Sequence, residues 1–105
     1  AMGKIIKMPK FTAGRVVLST GVKRFIPEGE VAASLQRHIY GDYGILSLDD
    51  WQVNEDVLQG VDVEGRTTIV SSYEYIDENN EIIPYLVITC LAGKITEVIL
   101  GDEMI

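Results

Sequence analysis

The spacing of apolar residues changes at Arg66, and this change restricts the fold more than any other feature of the chain. From Arg66 the pattern takes the two-residue period of a β-strand, with Ile69, Ser71, Tyr73 and Tyr75 on one side and Thr68, Val70, Ser72 and Glu74 on the other. A polar turn at 77–81 precedes an apolar run at 82–91, which predicts a central strand buried on both faces. After a tight turn at 92–94, residues 95–100 complete a three-stranded antiparallel meander.

The residues before this point show one short strand and two helices. Residues 15–19 contain the short β-branched and apolar run Val16-Val17-Leu18 and are followed by Thr20-Gly21, which predicts a first strand. Pro27 followed by acidic residues predicts a helix start, and apolar residues recur at helical spacing as far as Gly41. The sequence therefore predicts an α+β fold, in which an antiparallel sheet of about four strands packs on two helices in the order β-α-α-β-β-β.

The second of these helices begins at Ser47, which we expect to cap it, and ends at Gly60. Its predicted inner face consists of Leu48, Trp51, Asn54 and Leu58.

The length of 105 residues predicts a single domain over 1–105, with an irregular segment at 1–13 because Pro9 interrupts it. Ala1 stands before Met2, and we expect it to be a cloning remnant. No apolar stretch is long enough for a membrane span or a signal peptide, so we expect a cytoplasmic protein with no membrane partner. The lone Cys90 lies in an apolar run and is interpreted as a buried, inert thiol, the alternative being a nucleophile activated by His38.

Charge is distributed unevenly along the chain. Through Tyr40 seven cations face two carboxylates, whereas from Gly41 onward two cations face fourteen carboxylates. A net charge of −7 disfavours direct contact with nucleic acid and favours a protein partner with a basic surface. The candidate binding residues lie on the second helix and in the loop after it, and they are Asp49, Asp50, Glu55, Asp56, Asp62 and Glu64. The simpler interpretation is that these carboxylates only keep the protein in solution.

Residues 37–54 contain the densest group of chemically distinctive side chains. This segment resembles a family of small uncharacterised proteins from plasmids, phages and other mobile elements, whose members show Arg-His, two variable residues, Gly-Asp-aromatic-Gly, and then Leu, Asp and Asn. Tyr43 stands where tryptophan is usual in that family. The matching positions are Gly14, Arg15, Arg37, His38, Gly41, Asp42, Tyr43, Gly44, Leu46, Asp50 and Asn54. The resemblance implies a plasmid-related protein.

Two interpretations of the motif are open. In the structural one, Gly41 and Gly44 adopt positive φ, Asp42 accepts hydrogen bonds from loop amides, Asn54 pins the loop, and His38 packs at a helix end where a cation is favoured. In the functional one, Arg37, His38 and Asp42 form a polar cluster for catalysis or anion binding.

The structural interpretation is favoured, because backbone geometry alone explains glycines and an asparagine around a tight turn between two helices. The functional one needs a nucleophile or a metal, and neither is evident in the sequence. We therefore expect no catalytic residue, no metal and no cofactor. The expected function is a protein–protein interaction module that binds a basic surface, as a DNA mimic or an inhibitor of host defence. The alternatives are a homo-oligomeric plasmid-maintenance protein and, ranked last, a small enzyme that uses His38 and Asp42.

Overall fold

The computed structural model describes residues 8–61 and 63–103. The elements in chain order are β1 (Arg15–Leu18), α1 (Thr20–Phe25), α2 (Glu28–Ile39), α3 (Leu48–Leu58), β2 (Thr68–Ile76), β3 (Ile82–Cys90), β4 (Ile95–Leu100) and a 3-10 turn (Gly101–Glu103). The predicted α+β class, the four strands and the helices α2 and α3 are confirmed. Residues 8–13 form no regular element, while residues 1–7 of the predicted irregular segment lie outside the described residues.

The four strands form one sheet in the order β1-β4-β3-β2. The meander β2-β3-β4 is antiparallel as predicted, but β1 runs parallel to β4, with Arg15 opposite Ile95 and Leu18 opposite Val98. The prediction of a purely antiparallel sheet is therefore wrong. The local pattern of a strand reports its faces and not its direction relative to a partner that lies far away in the sequence.

A third helix, α1, was missed in the two-helix prediction. Thr20-Gly21 was interpreted as the end of a strand, but Ser19 caps a helix there, since its Oγ accepts a hydrogen bond from the Val22 amide at 3.1 Å. Val22 lies on the buried side of α1 and is fully inaccessible to solvent. Burial of this side chain against the sheet offsets the low helix propensity of Gly21.

The helix ends follow the predicted signals, but one residue of the predicted inner face of α3 is not buried. Pro27 is the N-cap of α2, and the Oγ of Ser47 accepts from the Asp50 amide at 3.1 Å. Asn54 is buried as predicted, but Leu48 is 87 % exposed. Leu48 is the first residue of α3, and its exposure shows that its side chain points away from the core.

All three helices pack on one side of the sheet, which we call the inner face. One core cluster joins α1 and α2 to the sheet, with Val22, Ile26 and Val31 against Tyr73, Tyr85, Val87 and Val98. A second cluster joins α3 to β2 and contains Tyr43, Val57 and Ile69. The inner-face alternation predicted for β2 is confirmed, because Ile69, Ser71 and Tyr73 are all buried.

The opposite side of the sheet, which we call the outer face, has no helix on it within residues 8–61 and 63–103. Its aliphatic side chains belong to neither core cluster, and Val17, Ile76 and Ile82 are 39 %, 59 % and 58 % exposed. The prediction that β3 is buried on both faces is therefore wrong, since Leu86 and Ile88 on this face are only half-buried. Within the described residues, no helix is long and apolar enough to cross a membrane.

Candidate functional site

The segment that joins α2 to α3 lies along the free edge of β2. Gly44 forms a parallel bridge with Ser72: the Ser72 amide donates to the Tyr43 carbonyl oxygen at 3.0 Å, and the Ile45 amide donates to the Ser72 carbonyl oxygen at 2.8 Å. The segment thus continues the hydrogen bonding of the sheet by one residue pair. An edge strand with unpaired amides is prone to unwanted pairing, and this segment covers it.

Asn54 of α3 covers Val70, the next residue of β2 whose backbone amide and carbonyl point away from the sheet at this edge. Its Nδ2 donates to the Val70 carbonyl oxygen at 2.8 Å, and its Oδ1 accepts from the Val70 amide at 3.1 Å. The side-chain amide therefore substitutes for the backbone of a neighbouring strand. Asn54 had been expected to pin the 41–44 loop itself, and the structure instead places its contacts on β2.

Replacement of Asn54 by Ala should lower the free energy of unfolding by about 2 kcal/mol, because the amide and carbonyl of Val70 lose their partners. Asn54→Asp should cost more than Ala at neutral pH, since a carboxylate would face the Val70 carbonyl oxygen that now accepts from Nδ2. Urea unfolding of the three proteins measures both differences. An aspartate variant as stable as the wild type would contradict the bidentate contact.

Gly44 allows the close approach between this segment and β2. Its φ is +75°, and a Cβ at this position would lie 2.1 Å from the Ser72 carbonyl oxygen and 2.7 Å from the Tyr73 ring. Any other residue would separate the two backbones. The glycine is thus required by the covering of the edge and not by contact with a ligand.

Arg37 and Asp42 form an exposed forked ion pair. Nε of Arg37 donates to Oδ2 of Asp42 at 2.8 Å and its NH2 group donates to Oδ1 at 3.2 Å. The guanidinium also lies 4.7 Å from the centre of the Tyr73 ring, and the Tyr73 hydroxyl donates to the Asp42 carbonyl oxygen at 2.6 Å. The hydrogen bond to Asp42 raises the pKa of Arg37. The pair fixes the end of α2, and each charge already has a partner.

His38 is completely buried and takes part in a chain of polar side chains across the inner face. Its Nδ1 lies 2.5 Å from Oγ of Ser71 and its Nε2 lies 2.9 Å from Oγ1 of Thr89. Thr89 in turn lies 2.6 Å from Thr96, whose hydroxyl donates to the Ala13 carbonyl oxygen at 2.6 Å. The chain connects α2, three strands and the segment before β1.

The order of donors in this chain follows from its last member. A carbonyl only accepts, so Thr96 donates to Ala13, Thr89 donates to Thr96, and Thr89 must accept from Nε2–H of His38. Burial lowers the pKa of His38 to about 4, so the imidazole is neutral near pH 7. With its proton on Nε2, its Nδ1 accepts from Ser71. His38 packs at the end of α2 as expected, as a neutral imidazole and not as a cation.

This geometry gives His38 no catalytic access. Both ring nitrogens are engaged, no part of the residue is exposed, and Phe11 covers the ring edge-on at 5.0 Å between centroids. Cys90 follows Thr89 in β3 and so lies on the outer face, half-exposed and across the sheet from His38. It is not the buried thiol that was expected, and it cannot form a pair with His38.

Among the described residues, no cluster of His, Cys, Asp or Glu has the arrangement to hold a metal ion. An open cleft of about 500 Å³ lies at the turn between β2 and β3, with Phe25, Ile82 and Pro84 in its wall, and no residue of the 37–54 motif lines it. The described residues therefore form neither a metal site nor a cleft with catalytic groups at the 37–54 motif.

The acidic candidates divide into two groups. Asp49 and Asp50 are exposed in the first turn of α3, Asp56 is half-buried two turns later, and Glu64 is exposed beyond the helix. Glu55 instead forms an ion pair with Lys10 and accepts a long hydrogen bond of 3.4 Å from the Tyr43 hydroxyl, so it holds the chain together. Burial is the main cause that raises the pKa of Tyr43. Asp62 lies outside the described residues.

Two exposed aliphatic side chains stand next to the acidic start of α3 and were not among the predicted site residues. Leu48 is 87 % exposed and Ile45 is 60 % exposed, while Val61 beyond the other end of the helix is 50 % exposed. The helical period had assigned Leu48 to the core. Its position directly after the cap Ser47 was the available signal, because a first-turn side chain often precedes the buried stripe.

Comparison with known proteins gives no relative for this chain. No protein-family model matches it, no curated protein matches it, and no solved structure matches it.

Proposed function

We propose that this chain is a protein-interaction module that presents the N-terminal half of α3 to a basic surface of another protein. The observation that carries the proposal is Leu48, an aliphatic side chain left 87 % exposed beside Asp49 and Asp50. Leu48 contributes nothing to the core, so the fold does not explain it. An apolar contact surrounded by charges of one sign has the composition of a protein interface.

The charge of the chain supports a basic partner and disfavours nucleic acid. The net charge is −7, and the exposed carboxylates of α3 would repel phosphates. Attraction between this surface and a basic one raises the rate of encounter, while Leu48 and Ile45 would slow dissociation. The resemblance of the 37–54 motif to mobile-element proteins supports a partner from the host or from the element, such as a DNA-binding groove that the acidic helix occupies.

The triple charge reversal of Asp49, Asp56 and Glu64 to Lys tests the acidic surface. The immobilised wild type first captures its basic partner from a host lysate at low salt. We expect the triple variant to associate with that partner at least about tenfold more slowly than the wild type does at low salt. At high salt the difference should be much smaller, because charges are then screened within roughly 3 Å at about 1 M. Stopped-flow or surface-based kinetics measures both rates.

The matched control reverses Glu78, Glu81 and Asp102, which are exposed and lie away from α3. It changes the net charge equally and should slow association far less. Leu48→Ser should leave association nearly unchanged and speed dissociation. The proposal fails if both triple reversals slow association equally, or if the purified wild type binds duplex DNA.

A further inference from the structure

We propose that the outer face of the sheet is the contact surface between two copies of this chain, packed face to face about a twofold axis. The inference is independent of the function proposed for α3, since the two surfaces share no residue. It begins from the composition of the outer face. The cross-strand pairings place one layer of aliphatic side chains on it: Val17, Val70, Ile76, Ile82, Pro84, Leu86, Ile88, Ile95 and Ile99.

Such a layer has the character of half of a protein core. A sheet buries one face or two, and a face this apolar is normally covered by a further layer. The helices of residues 8–61 and 63–103 all lie on the inner face, so no helix of that part of the chain covers the outer face. An exposed apolar patch of this kind marks an interaction surface.

The size of the face meets the requirement of a dimer. With strands about 4.8 Å apart and about 3.3 Å per residue, the sheet covers roughly 400 to 500 Å² of plane. Two such faces in contact bury about 1,000 Å², which is the lower bound of a specific interface. Homodimer interfaces are also the most apolar class, and a twofold dimer is the commonest assembly.

The charges on the face fit a second copy. Arg15 lies on the edge strand β1 in the same cross-strand row as Thr68, while Glu74 lies six residues further along the opposite edge strand β2. They therefore occupy opposite corners. A twofold axis in the interface, perpendicular to the line between them, places Arg15 of each copy over Glu74 of the other.

The third charge on the face is Glu97, which is exposed and lies one strand in from the β1 edge. Its flexible stem can carry the carboxylate towards that edge, where Arg15 is a diagonal neighbour. Around Glu97 the face is aliphatic, since Ile88 lies opposite it on β3 and the pair Leu86 and Ile99 follows in the next cross-strand row. The interface is thus mainly apolar, with Arg15 and Glu74 at its corners.

Sedimentation velocity of the full chain tests the proposal across a broad range of protein concentration. We expect a species of twice 11.6 kDa that dissociates on dilution. Each copy carries a charge of −7, so added salt should tighten the dimer by screening this repulsion. Partner binding through α3 should weaken with salt, and the two proposals can therefore fail separately.

Ile88→Lys is the decisive variant. Ile88 lies opposite Glu97 across β3 and β4, so the lysine gains a cross-strand ion pair in the monomer while it places a charge at the centre of the interface. The dimer dissociation constant should rise at least about 100-fold. The milder Ile99→Thr keeps a β-branched residue in β4 and should raise the dissociation constant about tenfold. Circular dichroism checks that both variants fold.

Two controls complete the test. Leu48→Lys adds the same charge on α3 and should leave the dimer intact. In β1, alternate backbone amides point towards β4, and the amide of Val16 points the other way, to the free edge of the sheet. Val16→Pro removes this amide, so it blocks edge-to-edge pairing without disturbing the outer face. A wild type that stays at 11.6 kDa at every concentration overturns the proposal. So does a dimer that Val16→Pro separates and Ile88→Lys does not.

Discussion

Alanine in place of Gly44 is expected to remove a large part of the stability of this protein. The new Cβ would lie 2.1 Å from the Ser72 carbonyl oxygen, and the residue would keep a φ of +75° that alanine avoids. To relieve the contact, the 43–45 segment must leave β2 and lose both hydrogen bonds with Ser72. Conformational strain and two lost hydrogen bonds together suggest a loss of about 4 kcal/mol, a large part of the total for a small domain.

Gly60→Ala is the matched control for this prediction. Gly60 has a φ of +78°, and a Cβ added to it would meet no atom within 4 Å. Alanine there should cost only about 1 to 2 kcal/mol, the strain of the left-handed conformation alone. Urea unfolding of the two variants separates strain from close approach. Equal losses at the two positions would mean that the contact of the segment with β2 contributes little.

The second large effect is a loss of stability in weak acid that depends on His38. The unfolded chain takes up a proton at this residue near pH 6.5, whereas burial delays uptake in the folded protein to a pKa of about 4. The unfolded state therefore binds more protons between these values, and the free energy of unfolding decreases as the pH falls through this window. The full difference is about 3 kcal/mol, and it is absent above pH 6.5.

His38→Gln provides the reference, because glutamine does not titrate. Carboxylates also titrate below about pH 5, and they do so in both proteins, so the difference in unfolding free energy between them isolates the histidine. This difference should change by about 3 kcal/mol from pH 7 to pH 4 and stay constant from pH 7 to pH 8. Chemical denaturation at each pH measures it. A difference that does not vary with pH would mean that the pKa of His38 is the same in the folded and unfolded states, as for an exposed histidine.

The elements that could be predicted are those with a local signal. The alternation of β2, the cap at Ser47 and the turn glycine Gly41 each determine a nearby structure, and the structure has them. The direction of β1 is set by its pairing with β4, in which Arg15 lies opposite Ile95, eighty residues later in the chain. No local sequence pattern encodes this direction. The helix α1 was missed because Gly21 suggested a turn, while burial of Val22 favours the helix.

The side-chain contacts of the 37–54 motif could not be predicted without knowledge of the fold. The sequence indicated that Ser71 lies on one side of a strand and His38 at a helix end, but nothing in it indicated that the two side chains meet. Thr89 and Thr96 looked like ordinary strand residues. Asn54 was expected to pin the 41–44 loop, but its partner is Val70, on a strand whose edge position depends on the whole sheet.

The parallel pairing of β1 with β4 has a consequence for the order in which the protein folds. Residues 15–18 are made early on the ribosome, but their only strand partner in the described sheet is residues 95–98, which emerge much later. Loop closure over such a distance is entropically expensive and comes late, after the local hairpins. During synthesis, therefore, the backbone of β1 stays unpaired until the meander β2-β3-β4 has formed and β1 can pair with β4.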